Sequence, residues 1–373
     1  MQDVDIHAIA TRVLWAAFLL SMAFGAISQR THFCTMGALA DVFNMGDWTR
    51  MRMWVLAMAV AMLGFNAMVA LGWLDAGNSI YASPRLRWLS ALVGGLLFGF
   101  GMVLGSGCGS KTLVRVGGGS LKSLVVFVVM GLVAFATLKG ITAVARVWTV
   151  DAVAADVPPG QDLPSLLSAA TGIAKQTLAL AIGGVLATAM ALWVLMRPEG
   201  RSAEVLLAGI GIGAVVAGVW WVSGRLGHVA QDPNTLQEAF VATNSQRMES
   251  LTFVAPLAYT LDWLMFYSDR SKVLTIGIVS TFGVVAGSAL VALATRAFRW
   301  EGFRGAEDTA NHLAGAVLMG VGGVTALGCT IGQGLSGLST LAIGSFIALG
   351  SIIAGAFAAL RYQAWRVQRE QSS

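Results

Sequence analysis

Nine stretches of this chain are apolar over a length sufficient for an α-helix to cross a bilayer: 10–28, 52–74, 89–107, 121–141, 175–196, 203–224, 272–295, 312–328 and 339–360. A helix needs about 20 such residues to cross the hydrocarbon core. Lipid offers no partner to backbone N–H and C=O groups, so each run must satisfy its own hydrogen bonds as a helix. The expected fold class is an all-α polytopic membrane protein with about nine transmembrane helices. Composition agrees: of 373 residues, 56% are hydrophobic and 12% charged, against about 25% charged in a soluble domain. The formal net charge of +5 suits cytoplasmic Lys and Arg or a site for anions, and is no mark of nucleic-acid binding. The opening MQDVDIHAIATR carries two aspartates in place of a basic segment, so the first run reads as a retained span. The closing RYQAWRVQREQSS reads as a short basic tail against lipid headgroups.

Two further stretches, THFCTMGALADVFNMG (Thr31 to Gly46) and SLTFVAPLAYTLDWLMF (Ser250 to Phe266), are too short or too polar to span. Interrupted backbone at membrane depth is tolerated only where protein or a cavity surrounds it. Both stretches therefore read as short re-entrant helices, with amphipathic surface helices as the alternative. With the N-terminus outside, the inner connections hold fourteen Lys and Arg and the outer ones ten, which favours an outer N-terminus and an inner C-terminus. The longest connections, Ala143 to Ala174 and Arg225 to Glu249, then lie outside.

A repeat organises these spans. GGLLFGFGMVLGSGC (Gly94 to Cys108) and GAVLMGVGGVTALGC (Gly315 to Cys329) match at seven of fifteen positions with the cysteines superposed. Each is followed by a Gly/Ser-rich link and a hydroxyl-rich entry to the next span, GGGSLKSLVVF and GLSGLSTLAIGSF. A fainter echo aligns HFCTMGALAD (His32 to Asp41) with TFVAPLAYT (Thr252 to Thr260), so that Val254 stands where Cys34 does. Five crossings separate the starts of the two halves, and an odd number gives them opposite orientation. The expected organisation is a first inverted repeat at 1–141, an outside loop and connecting helix at 142–202, and a second inverted repeat with the tail at 203–373. Inverted repeats place a binding path near the midplane, where broken helices point their ends at the solute. Most of the glycines read as sites of close helix packing. Gly107, Gly109 and Gly328 flank cysteines, and there bare backbone would let N–H groups face an anion.

All three cysteines, Cys34, Cys108 and Cys329, fall where helices are interrupted. Their odd number and depth argue against a disulfide framework. No CxxC spacing exists, and only His32 of the four histidines lies near a cysteine in sequence, which argues against zinc. There is no Walker motif, and no cofactor is called for. Two readings stay open: an inert buried thiol used as a small hydrophobe, or a thiol that touches a transported solute. A neutral S–H is a weak donor and sulfur a weak acceptor, and that balance suits passage of a soft, polarisable anion without trapping it.

The segments SQRTHFCTMGALAD, GFGMVLGSGCGSK and VTALGCTIGQGLSG resemble the YeeE/YedE family of sulfur-compound transporters, whose characterised members take up thiosulfate. The resemblance runs from the first span to the last. It implies two inverted repeats with nine spans and short helices that dip into the membrane. It also implies a path lined by Cys34, Cys108 and Cys329, along which thiosulfate is handed by S–H···S contacts without redox chemistry. A bacterial inner-membrane location, transport in place of catalysis, and a small cytoplasmic sulfur-carrier protein as partner follow from the same resemblance. The loops around Pro158 and Asn234 are where this chain departs from the family.

Other residues carry lesser expectations. Lys111 and Arg30 would raise the anion concentration at an inner mouth or else meet headgroups. Thr330 offers a hydroxyl beside the third cysteine, and Gln333 is a candidate for path lining. Asn66 reads as a helix–helix bond, the pair Trp220–Trp221 as an aromatic belt, and Asp41, Asp47 and Asp262 as caps or Arg partners. No buried acid stands out as a proton site. The alternative function is a membrane enzyme that passes sulfur through a cysteine persulfide, its thiol activated by Lys111.

Overall fold

A computed structural model describes residues 6–232 and 236–372; the opening MQDVD and the loop tip at Asn234 lie outside the described residues. The chain runs through α1 (Ile6–Thr31), α2 (Thr35–Met45), α3 (Thr49–Ala70), α4 (Trp88–Leu104), α5 (Gly109–Gly117), α6 (Leu121–Lys139), α7 (Ile141–Trp148), α8 (Leu163–Thr171), α9 (Lys175–Leu195), α10 (Ala203–Trp221), α11 (Ala255–Met265), α12 (Ile276–Ala294), α13 (Ala306–Thr325) and α14 (Ile343–Ser372). Among the described residues, α1, α3, α4, α6, α9, α10, α12, α13 and α14 are the long helices, one in each predicted apolar run. Eight stretches are long and apolar enough to cross a membrane. The ninth long helix, α13, carries Glu307 and Asp308 in its first turn, where acids suit the positive end of the helix dipole. The protein is an all-α, multi-pass membrane protein.

Backbone meets backbone where α4 and α13 cross. A Cβ added at Gly94 would come within 2.8 Å of Gly322 O, and one at Gly101 within 2.8 Å of Gly315 O. As the index rises along α4 it falls along α13, so the two repeat-bearing helices run antiparallel. Contacts elsewhere come in exchanged pairs. Gly99 of α4 abuts Ile352 O of α14, and its counterpart Gly320 of α13 abuts Met130 O of α6. Likewise α1 packs on α12 while α10 packs on α3. Glycine is needed in these seams because any side chain would hold the helices apart.

The two interrupted stretches form α2 and α11, each 11 residues long, or about 16 Å, half of what a span requires. Thr35, Gly37 and Ala38 of α2 are buried, as are Pro256, Leu257 and Ala258 of α11, so both enter the protein interior at their N-terminal ends. Their acids are tied in matching ways: Asp41 pairs with Arg50 at 3.1 Å and Asp262 with Lys272 at 2.6 Å. Asp47 accepts from Thr49 N at 2.9 Å and from Thr49 Oγ1 at 2.7 Å just ahead of α3.

Two expectations need correction. The stretch after Cys108 begins as the helix α5, which confines the Gly/Ser-rich turn to Gly118–Ser120, and the one after Cys329 winds as a π-helical turn, Gly332–Gly337. Small residues favour loops, yet packing in the interior overrides that weak preference. Trp220 is not part of an aromatic belt. It is fully buried, its ring 5.0 Å from that of Phe65, and its Nε1 donates to Ser339 Oγ at 3.0 Å. Only Trp221, 40% exposed, faces outward. Asn66 bonds helices as expected, donating from Nδ2 to Met62 O and Ser339 O, each at 2.9 Å.

Candidate functional site

The three cysteines share one local design. Two residues before each, the backbone turns left-handed: His32 at φ 52°, Ser106 at φ 54° and Leu327 at φ 58°. Such a conformation costs a non-glycine residue about 1–2 kcal/mol, and strain of this kind concentrates at functional sites. Each turn ends a helix and sets the cysteine at the start of a short one. Cys34 is the N-cap of α2 and Cys108 of α5, and Cys329 precedes the helical residues that begin at Thr330. Val254 holds the same place before α11 and packs against Gly323.

All three thiols are buried and free. Gly37 N–H donates to Cys34 Sγ at 3.3 Å, and Gly332 N–H donates to Cys329 Sγ at 3.4 Å. With a lone pair so engaged, each S–H remains free to donate. Cys108 Sγ lies 3.2 Å from Ser110 Oγ. Cys108 stands within electrostatic reach of both Cys34 and Cys329. The amide of Phe253, just before Val254, is among those beside Cys329. Phe253 also meets Gly109, where an added Cβ would lie 2.6 Å from its carbonyl oxygen. The Cys108 turn and the Cys329 turn therefore touch through Gly109 and Phe253.

Lys111 stands in the first turn of α5, half-buried, and its charge reaches both Cys34 and Cys108. It enters no ion pair among the described residues. Arg115 donates from Nη1 to Ser106 O at 2.8 Å and so braces the left-handed turn before Cys108. Gly107 leaves room for the Lys111 stem, which a Cβ would approach to 3.1 Å. Arg30 is not brought in: it lies exposed at the end of α1, and the cations whose charge reaches Cys34 are Lys111 and Arg115.

Around Cys329 several buried polar atoms have no partner among the described residues: Thr330 Oγ1, Gln333 Oε1, Tyr81 OH, Thr252 Oγ1 and Ser345 Oγ. Gln333 Nε2 donates to Ala326 O, which fixes the amide with its oxygen unpaired, and its stem lies against Gly328. Tyr81 and Thr252 both meet Gly332. Burial pushes the Tyr81 phenol well above its ordinary range, so it stays protonated and can donate. A narrow cavity of about 30 Å³ joins Tyr81, Gln333 and Ser345 to Arg85 and Arg87. Buried unpaired polar groups are costly and rare in native proteins, and a cluster of them suits a polar solute. Sequence reasoning found Thr330 and Gln333 by their nearness to Cys329. It missed Tyr81, Thr252 and Ser345, which arrive from the loop before α4, the segment before α11 and the first turn of α14.

Comparison with known proteins points the same way. A family model described as "Sulphur transport" matches residues 30–358. The chain is 26% identical over 360 residues to the thiosulfate transporter TsuA of Escherichia coli, covering 93% of this chain and 94% of the relative. It is 26% identical over 359 residues to TsuA of Spirochaeta thermophila, covering 90% and 94%. The probable transporter YedE of Escherichia coli matches at 32% over 104 residues, 27% of this chain and 24% of that protein.

Proposed function

Because the chain belongs to the sulphur transport family, also called YeeE/YedE, we propose that it is a permease for thiosulfate or a similar sulfur-bearing anion. On this reading it works in the bacterial inner membrane and moves the anion inward, past Cys34, Cys108 and Cys329, by non-covalent S–H···S contacts. The observation that carries the proposal is the common build of the three cysteine turns, with Cys108 in reach of both other thiols and the unpaired Lys111 beside two of them. The first turn of α5 offers the Gly109 backbone N–H to the anion, as helix N-termini do, while the Gly37 and Ile331 amides are engaged by the cysteine sulfurs. Weak, repeated contacts of this kind allow both entry and release.

The exchanged helix contacts and the antiparallel α4–α13 seam support two oppositely facing halves, 1–141 and 203–373, with 142–202 joining them. Lys and Arg counts support an outer N-terminus and an inner C-terminus. A small sulfur-carrier protein would take the anion at the inner face, where Arg52 and Arg197 line an open hollow of about 660 Å³.

The test is uptake of labelled thiosulfate into proteoliposomes holding only this protein. Cys108→Ser and Cys329→Ser are expected to insert normally and to lose most uptake. Normal uptake by both variants would end the relay reading. A persulfide that forms and turns over on Cys108 or Cys329, seen by mass spectrometry, would replace it with covalent sulfur transfer.

A further inference from the structure

Glu249 is the one acid among the residues lining a cavity of about 160 Å³, which runs from Asn244 and Ser245 at the loop to Thr252, Leu327 and Gly328 beside the Cys329 turn. The residue is half-buried, and its own N–H donates to Ser223 Oγ at 3.2 Å, which holds its backbone in place. Ser245 Oγ donates to Glu249 Oε2 at 3.2 Å. Among the described residues it enters no ion pair. Arg146 from α7 and Tyr259 from α11 line the same cavity, and the charge of Glu249 reaches Tyr259 and also Tyr81 from the loop before α4. Arg146 is held by Asp151 at 3.5 Å, with its Nε unpartnered. Thr252 Oγ1 and Ser280 Oγ, in the same cavity, also have no partner among the described residues.

Burial pushes the Glu249 carboxyl up to about 7, against the opposing hydrogen bonds of Ser245 and the Asn244 backbone. An ordinary surface glutamate would be fully ionised at that pH. Here small changes nearby decide the charge.

We propose that Glu249 is a proton-carrying residue of the transport cycle, protonated when the cavity holds a sulfur dianion and ionised when it does not. This rests on the reading of the protein as a sulfur-anion permease. A carboxylate and a dianion repel strongly in a poorly solvated cavity, so a bound dianion raises the proton affinity of the carboxyl. By reciprocity, the proton strengthens anion binding by the same factor. The step is an acid–base one: a single proton passes from solvent to a Glu249 oxygen as the anion enters, and no electrons move. Each proton carried along also removes one unit of negative charge from the load that the membrane potential opposes. The unpartnered hydroxyls of Thr252 and Ser280 supply donors to the anion at the depth where the cavity meets Gly328.

The test is thiosulfate binding to the purified protein in lipid nanodiscs between pH 5.5 and 9. The wild-type Kd is expected to be constant at low pH and to rise toward tenfold per pH unit above about 7. Glu249→Gln is expected to hold the low-pH Kd throughout. Titration calorimetry at high pH, in two buffers of different ionisation enthalpy, should show about one proton taken up per anion by the wild type and none by the variant. A flat wild-type profile, or a variant that keeps the wild-type slope, overturns the inference while leaving the permease reading intact. A wild-type protein that binds thiosulfate at no pH overturns both. The wild-type slope decides alone if the variant is unstable.

Discussion

Gly109→Ala is expected to cut thiosulfate uptake by about ten- to a hundredfold without keeping the protein from the membrane. Gly109 opens α5, and a Cβ there would sit 2.6 Å from Phe253 O and 3.3 Å from Phe253 C. Comfortable contact begins near 3.5 Å, so the Phe253 backbone must retreat by about 0.9 Å. It has little freedom to do so, since the Phe253 side chain is fully buried and its ring lies 5.4 Å from that of Phe24. Overpacking of this kind costs about 1–3 kcal/mol, and each 1.4 kcal/mol is tenfold. The displaced segment is the one whose amide stands beside Cys329, so the cost falls on the junction between two thiol turns. Alanine is also the better helix former by about 1 kcal/mol, so a loss cannot be blamed on a weakened α5. Gly184→Ala is the control, because nothing lies within 4 Å of a Cβ there. Initial uptake rates would be compared in proteoliposomes of equal protein content. A Gly109→Ala protein as fast as the wild type would refute the claim that the two turns are mechanically joined.

Asn66→Leu should lower stability by about 1–3 kcal/mol, because Ser339 O and Met62 O both lose a buried donor; a thermal melt in detergent that matches the wild type would show the bridge to be dispensable. Lys111→Gln should raise the KM for anion uptake about tenfold, the worth of one hydrogen bond from a charged donor, with insertion unchanged. An unaltered KM would place Lys111 off the route.

The nine long helices were legible because lipid leaves an apolar run almost no other fold. The glycine pattern was legible for a related reason: Gly94, Gly101, Gly315 and Gly322 recur because two backbones touch there. What the chain's order hides is which distant groups share a space. Tyr81, Thr252 and Glu249 belong to connections with no periodicity and Ser345 to the first turn of α14, and only the closing of the helices around them makes lined cavities. Arg30 was chosen for its nearness to Cys34 along the chain, yet the end of α1 leaves it exposed, while Lys111 and Arg115 arrive from α5. Trp220 and Trp221 are adjacent in sequence and differ in fate, because one step along a helix turns a side chain by about 100°. The local design of the cysteine turns was half visible. Interrupted helices at Cys34, Cys108 and Cys329 could be read, but not the left-handed residue that precedes each by two.

The crossing of α4 and α13 bears on how such a protein can move. Surfaces that meet through side chains can repack in several registers, whereas bare main chains in contact have few alternative fits. Sliding by one residue would carry the paired glycines Gly94, Gly101, Gly315 and Gly322 out of register, so α4 and α13 are expected to keep one relative placement. On the permease reading proposed above, passage would then depend on small adjustments of the cysteine-bearing turns, and the traffic would resemble leakage through a tight filter more than the rocking of a gate.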